Sequence, residues 1–470
     1  MWGWDGPDDE DLAFDVDAFD VDQVAETRRV ERMVLTDLYR TTEGSRWYRQ
    51  RGWLSRETHC AWEGVTCLRR SDPFGVLSLE LRDNGLAGPL PQTLARLHKL
   101  RNLDLRDNAL RGSVSSAFGS MTKLKVLLLK GNAVNGKLPK ELGGAAGLTQ
   151  ADLSANAFIG AMPADLGRLS NLRMLNVSHN GLSGELPHRL CGAPSLEVLS
   201  ASKNRIRGGL ERCGAALDAR GAASTMRLFD ASENNFDGEP PAAPSRSGSL
   251  AIWDVSGNAL TGTIPNRAPP RSLRVLSYAR NKLTGAIPDA LFPRDSGLRR
   301  VDLSGNALNG TLPDGLMGLT KVRVVNVSGN ALSGAIPSEG DVDVRAMASL
   351  TDFDASNNAL VGAVPPSLAG LKHLRTLSLR GNKLTGTIPC DQLAHSRSLR
   401  ELDLSDNDLS GELSGDVAAL GERLTRLDLS RNRLSGPVPV GLITGRALTH
   451  LDISGNEDLD WTSLGVREGA

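Results

Sequence analysis

The stretch LRRVDLSGNALNGTLP, residues 298–313, decides the fold, because the chain repeats it. Close variants stand at 100–114 (LRNLDLRDNALRGSV), 374–389 (LRTLSLRGNKLTGTIP) and 424–439 (LTRLDLSRNRLSGPVP). Counted by the Asn that closes LSGN in the opening stretch, the unit recurs at 84, 108, 132, 156, 180, 204, 234, 258, 281, 306, 330, 358, 382, 407, 432 and 456. The usual step is 24 residues, widening to 30 before Asn234 and to 28 before Asn358. Self-similarity at such a period means a solenoid, in which each unit is too small to bury its own apolar face and stacks on its neighbours. The 470 residues are therefore read mainly as one elongated body rather than several globules.

The template is L-x-x-L-x-L-x-x-N-x-L-x-G-x-ϕ-P, with ϕ apolar. Residues five and three before the Asn, Val301 and Leu303 in the opening stretch, alternate with polar ones. Period 2 predicts a short strand with one face inward, paired in parallel with the next at about 4.8 Å. Sixteen strands at that spacing give a ribbon of roughly 75 Å. The Asn follows where the chain turns inward, and its amide can serve backbone groups that no ladder reaches, predicting a buried Asn ladder. A Gly stands four residues on in all fifteen complete units, Gly88 to Gly436, which calls for a position where a side chain would clash or φ is unusual. Pro follows in twelve of fifteen, with Ser115, Glu211 and Ser414 as exceptions. Stretches such as 289–292 and 314–319 then predict short helical turns on the return path.

This pattern resembles the plant-type leucine-rich repeat over about residues 76–460. The resemblance implies an α/β leucine-rich repeat solenoid: a curved right-handed superhelix, with a parallel sheet on the concave face and short helical turns on the convex face. It also implies a second short strand from the L-x-G-x-I-P segment. Residues 25–75 read as the N-terminal cap that a parallel solenoid needs. Val30, Met33, Val34 and Leu38 lie at helical spacing, followed by Trp47, Trp53 and Trp62. The element Cys60, Trp62, Gly64, Val65, Cys67 resembles the family's C-x-W-x-G-V-x-C cap, whose cysteines are bonded, and this is carried onto Cys60 and Cys67 against the alternative of two free thiols. Cys191 and Cys213 fall in successive repeats, and their offset leaves a bond between them open. Cys390 stands alone. At the other end, residues 461–470 form a short tail in which Trp461 and Leu464 are candidates to cover the last strand.

Residues 1–24 read as an acidic disordered tail. Nine acids and no bases occupy 1–22, so the rest carries 54 bases against 46 acids within a net charge of −1. This start is not a secretory signal, and no run of about 18 apolar residues supplies a membrane span. The near-neutral balance excludes a gross basic field for nucleic acid. Insertions stand at 211–226 and 338–349, and proline-rich loops at 239–249 and 266–272 replace convex turns.

The letters left free are the exposed strand positions. Asp recurs four before the Asn (position −4), as at Asp254 and Asp302, and Arg recurs at −7, as at Arg274, Arg299 and Arg323. Two readings follow: a salt-bridge lattice between the two columns that belongs to the scaffold, or a charged face that recognises a protein or peptide. Asn326, at −4, with Arg280 and Arg380 beside the strands, interrupts the regular columns. Plant receptors of this type grip a peptide carboxylate with two bases two residues apart on one strand; no base occurs here at −4, which speaks against that mode. Sequons at Asn176, Asn309 and Asn326 are candidate glycosylation sites. The seven histidines show no metal-ligand spacing, and there is no phosphate loop, kinase signature or nucleophile elbow.

The expected function is a non-catalytic recognition scaffold, resembling leucine-rich repeat receptor ectodomains, that binds a protein or peptide through the concave face, with no cofactor. A co-receptor or a second copy of the chain is a further candidate partner. The alternatives are an inhibitor of a secreted hydrolase, as in the polygalacturonase inhibitors, and a structural cell-surface protein. Cap cysteines and sequons favour an extracellular or cell-surface location; the start of the chain, taken as it stands, favours a cytoplasmic one.

Overall fold

The computed structural model describes residues 21–68, 75–220, 224–337, 347–413 and 417–460. The expected tails thus lie outside the described residues up to position 20 and from 461 on, as do Trp461, Leu464 and most of the 338–349 insertion. The first helix, Val21–Thr41, begins inside the span assigned to the acidic tail.

Each of the sixteen Asn residues follows a three- to five-residue strand, from Val76–Glu80 to His450–Asp452. The sixteen pair in parallel and in register, and Val65–Cys67 adds a seventeenth, antiparallel strand at the N-terminal edge. The pattern enforces this: the residues at −5 and −3 bury completely or nearly so, as Val301 and Leu303 do, except Leu451 in the last strand, which is partly buried, while those at −6 and −4 stay on the solvent side. One continuous apolar cluster runs from Val34 to Leu459. The expected second strand is present, among the described residues in runs of seven, three and six strands.

The Asn side chains do not stack amide on amide; they bridge coils through the backbone. Asn407 donates through Nδ2 to Leu379 O at 3.0 Å on the preceding coil and to Leu404 O and Ser405 O on its own. Its Oδ1 accepts from Leu384 N at 3.0 Å. Asn84, with no preceding repeat, makes the same bonds to the cap, to Arg49 N and Arg49 O. The repeat Gly is required by conformation in every unit and by space as well in some, since a Cβ on Gly88 would clash with Thr41 O. All fifteen have φ between +74° and +118°, whereas a Cβ on Gly112 would meet nothing nearer than 3.6 Å.

Prolines sit just before the convex turns in extended conformation, as Pro91 and Pro313 do, where no N–H is required. Where Ser115 replaces Pro, its hydroxyl accepts from Ala117 N. The turns at Asp289–Leu291 and Asp314–Met317 are helical as expected, and the proline-rich loops carry no helix. The first insertion is not a loop: Glu211–Arg220 is a helix, and its Cys213 is bonded to Cys191 with Cα atoms 5.3 Å apart.

The cap closes the N-terminal edge. Val34 and Leu38 are buried, but so is Leu35, while Met33 is 46% exposed; the packed face therefore runs through 34, 35 and 38. Trp47, Trp53 and Trp62 are buried, with ring centroids 4.8 and 5.0 Å apart. Cys60 and Cys67 are bonded, with Cα atoms 5.6 Å apart. Buried Glu31 ties three elements together, facing His59 Nε2 at 3.1 Å and accepting from Val76 N at 2.8 Å.

Candidate recognition surface

The solvent face of the long sheet carries two rows, at −6 and −4, because a strand alternates its side chains. The −4 row contains Asp254, Ser277, Asp302 and Asn326 side by side in register. These carboxylates are held by serines two residues on. Asp254 Oδ1 accepts from Ser256 N at 2.9 Å and Ser256 Oγ at 2.6 Å, and Asp302 does the same with Ser304. Asn326 copies the geometry with Ser328.

The expected Arg–Asp lattice is not formed. Position −7 is an odd number of residues from −4, so its side chain leaves at the edge of the sheet instead of joining the same row. Arg274, Arg299 and Arg323 do follow one another coil by coil, through Arg299 N→Arg274 O and Arg323 N→Arg299 O, each 2.8 Å. Arg274 spends its guanidinium on the carbonyls of Arg271, Leu273 and Gly297, while Arg299 and Arg323 are exposed. Arg173 and Arg227 turn to Glu197, at 3.7 and 3.9 Å. The arginines that reach the −4 carboxylates come from within the strand or just after it: Arg300 to Asp302 at 3.0 Å, Arg426 to Asp428 at 3.4 Å, and Arg106 to Asp104. Arg280 is paired with Glu233, and Arg380 with Asp406 at 3.3 Å. Both lie at the turn after the strand.

The −6 row is the part that counting at −4 and −7 missed. Across five consecutive coils it reads Met174, Val198, Leu228, Ile252 and Val275, in register and all half-exposed. Gln150 precedes this run and Arg300 follows it. The same column, read two residues before the Asp, would have shown it. Alongside run Asn176, Ser200, Asp230, Asp254 and Ser277. Burial pushes the Asp254 carboxyl above the ordinary range, with the Asp230 charge adding to it, against the lowering effect of the Ser256 hydroxyl and amide.

The three sequons differ in setting. Asn176 and Asn326 are half-buried in the −4 row with Oδ1 bonded to Ser178 and Ser328. Asn309 is exposed at the end of a second-sheet strand. Among the described residues, the one His/Cys/Asp/Glu group close enough to suggest a metal, His59 with Cys60 and Cys67, has both sulfurs in the disulfide.

Sixteen in-register strands, each followed by a bridging Asn, match what sequence comparison finds. The family model "Leucine rich repeat" matches residues 346–409, and the single-repeat model "Leucine Rich Repeat" matches 99–121, 171–193, 297–319 and 423–444. The chain is a leucine-rich repeat solenoid. Among solved structures it is similar to PEPR1–AtPEP1, with 28% identity over 90% of this chain and 58% of that one and a TM-score of 0.79. It is also similar to the TDR receptor, with 28% identity, 81% and 63% coverage and a TM-score of 0.72. The plant peptide hormone receptor RGFR1 in complex with RGF2 aligns at 25% identity over 81% of this leucine-rich repeat chain and 70% of that one, with a TM-score of 0.54. The chain thus spans about three-fifths of the length of the first two structures. A search of curated proteins finds no match. The matched family models describe repeats and not catalytic folds. No helix among the described residues is long and apolar enough to cross a membrane.

Proposed function

We propose that this leucine-rich repeat chain is a non-catalytic recognition scaffold that binds a protein or peptide along its concave sheet. The observation that carries the reading is the half-exposed apolar row beside a polar row on an otherwise hydrogen-bonded face. Stacking dictates −5, −3, the Asn, the Gly and the Pro; it does not require Leu228 or Ile252 to be apolar. A preformed sheet offers this area without rearrangement, which lowers the cost of binding. The structural neighbours support the same reading, one being a plant peptide hormone receptor in complex with RGF2 and another the PEPR1–AtPEP1 pair. Two disulfides and the receptor similarity support an extracellular or cell-surface setting, with a co-receptor or second copy as a further partner.

The test is affinity capture from a secreted-protein fraction with three forms of the full chain. Partners held by the unmodified chain are expected to be lost when Leu228 becomes Asp. They are expected to be kept when Val361, exposed on the second sheet, becomes Asp. Equal profiles from all three would refute binding through the concave face.

A further inference from the structure

Resting on that reading, the geometry points to one subsite and one ligand chemistry: the five coils from Met174 to Val275 take an extended peptide segment that combines aliphatic side chains with a Lys or Arg. The aliphatic requirement comes from the −6 row. Met174, Val198, Leu228, Ile252 and Val275 are adjacent across parallel strands, and the row ends in polar side chains at Gln150 and Arg300. Five strands at about 4.8 Å separation span roughly 19 Å, the reach of about six extended residues.

The basic requirement comes from Asp230 and Asp254, which are direct neighbours in the −4 row beside Leu228 and Ile252. Each accepts from a serine two residues on, Ser232 or Ser256, and each also has a serine on a neighbouring strand: Asp230 Oδ2 accepts from Ser200 Oγ at 3.0 Å, and Asp254 is hydrogen-bonded by Ser277. A carboxylate has about four lone-pair sites, so accepting capacity remains. An arginine of the chain supplies the opposite charge at Asp104, Asp302 and Asp428; Asp152, Asp354 and Asp403 have none among the described residues, but none of these three adjoins a second unpaired carboxylate in the row as Asp230 adjoins Asp254. Among the described residues no ion pair reaches Asp230 or Asp254: the residues two before them are Leu228 and Ile252, and the residues two after them are Ser232 and Ser256. Side-by-side carboxylates on neighbouring strands repel, and a ligand cation placed between them relieves that repulsion. An acidic peptide would add to it. The ligand sign is therefore set by the same substitution that makes the row apolar.

The experiment pans a random heptapeptide display library on the full chain and measures the selected peptides, made synthetically, by fluorescence anisotropy. Selected sequences are expected to combine aliphatic residues with Lys or Arg. Affinity is expected to fall at least tenfold in Ile252→Asp, in the milder Ile252→Thr, and in the Asp230→Asn/Asp254→Asn double variant, and to hold in Val361→Asp. Circular dichroism checks that each variant is folded; Ile252→Thr, polar but β-branched, keeps the test open if Ile252→Asp is not. Selected peptides that are acidic, or whose affinity ignores these substitutions, overturn the subsite and leave concave-face recognition standing. No enrichment overturns both. A dimer in sedimentation that Ile252→Asp dissociates would make a second copy the occupant and also overturn the inference.

Discussion

Replacing Asn407 tests the stacking logic where its bonds are best defined. The side chain is 8% exposed and serves four backbone groups. Two of them, Leu379 O and Leu384 N, belong to the preceding coil, so Asn407→Ala strands one acceptor and one donor in the junction between coils. An orphaned buried polar group costs about 1–3 kcal/mol, which puts the pair at about 4 kcal/mol. Asn407→Asp is the sharper change. It preserves the acceptor for Leu384 N but turns a carboxylate oxygen toward three carbonyl oxygens, where the amide had donated. It should cost at least as much as Ala. A long repeat array need not unfold in one step, so the assay is hydrogen exchange by mass spectrometry on peptides covering 376–409. A loss of about 4 kcal/mol speeds exchange there by about a thousandfold, while the distant coil at 102–113 stays protected. A change below tenfold in Asn407→Ala, or an Asp tolerated as well as Asn, would refute the bridging role.

Other substitutions follow from the same geometry. Ala155 holds φ +51° immediately before an Asn and makes no ion pair; Ala155→Gly removes a left-handed cost of about 1–2 kcal/mol against an unfolded-state penalty of about 0.4–1, so urea unfolding should show a gain of about 0.5–1 kcal/mol. Asp254 has its folded-state pKa raised by burial, so its ionised form weakens the fold at neutral pH and the penalty fades as pH falls through that raised pKa. Asp254→Asn should therefore stabilise at pH 7, with the advantage over the unmodified chain shrinking in acid; an advantage that grows on acidification would reverse the sign. Made in a secretory eukaryotic host, the chain should carry a glycan at exposed Asn309, with Asn176 and Asn326, engaged with Ser178 and Ser328, unmodified; peptide mapping after enzymatic deglycosylation reads this directly.

The scaffold was legible because stacking leaves each of its positions one solution. Leu303 must bury, Asn306 must bridge, Gly310 must adopt φ +75°. Strand and turn order along the repeats could be written from the template. The working face was less legible, for two reasons visible in particular residues. First, repetition draws the eye to Asp254 and Arg274, yet parity separates −4 from −7: Asp254 is held by Ser256 and Arg274 by carbonyls. The informative column was the irregular one at −6, where Leu228 and Ile252 replace the polar residues found at Asn102 and Thr376. Second, insertion length does not reveal conformation: the extra residues after Glu211 became a helix because Cys213 and Leu217 could bury against the previous turn, and Cys213 could bond Cys191. In the cap, helical spacing selected the correct element but the wrong edge of its face, taking Met33 for Leu35.

One multiple replacement separates scaffold letters from recognition letters most directly. Met174, Val198, Leu228, Ile252 and Val275 are changed together to Thr, which keeps β-branched or strand-compatible side chains on the solvent face, and the variant is examined by hydrogen exchange and by binding of the library-selected peptides. The account predicts unchanged protection of the strand amides and loss of binding. Collapse of protection would show that this row holds the solenoid together, and retained binding would show that the partner is read elsewhere; either result contradicts it.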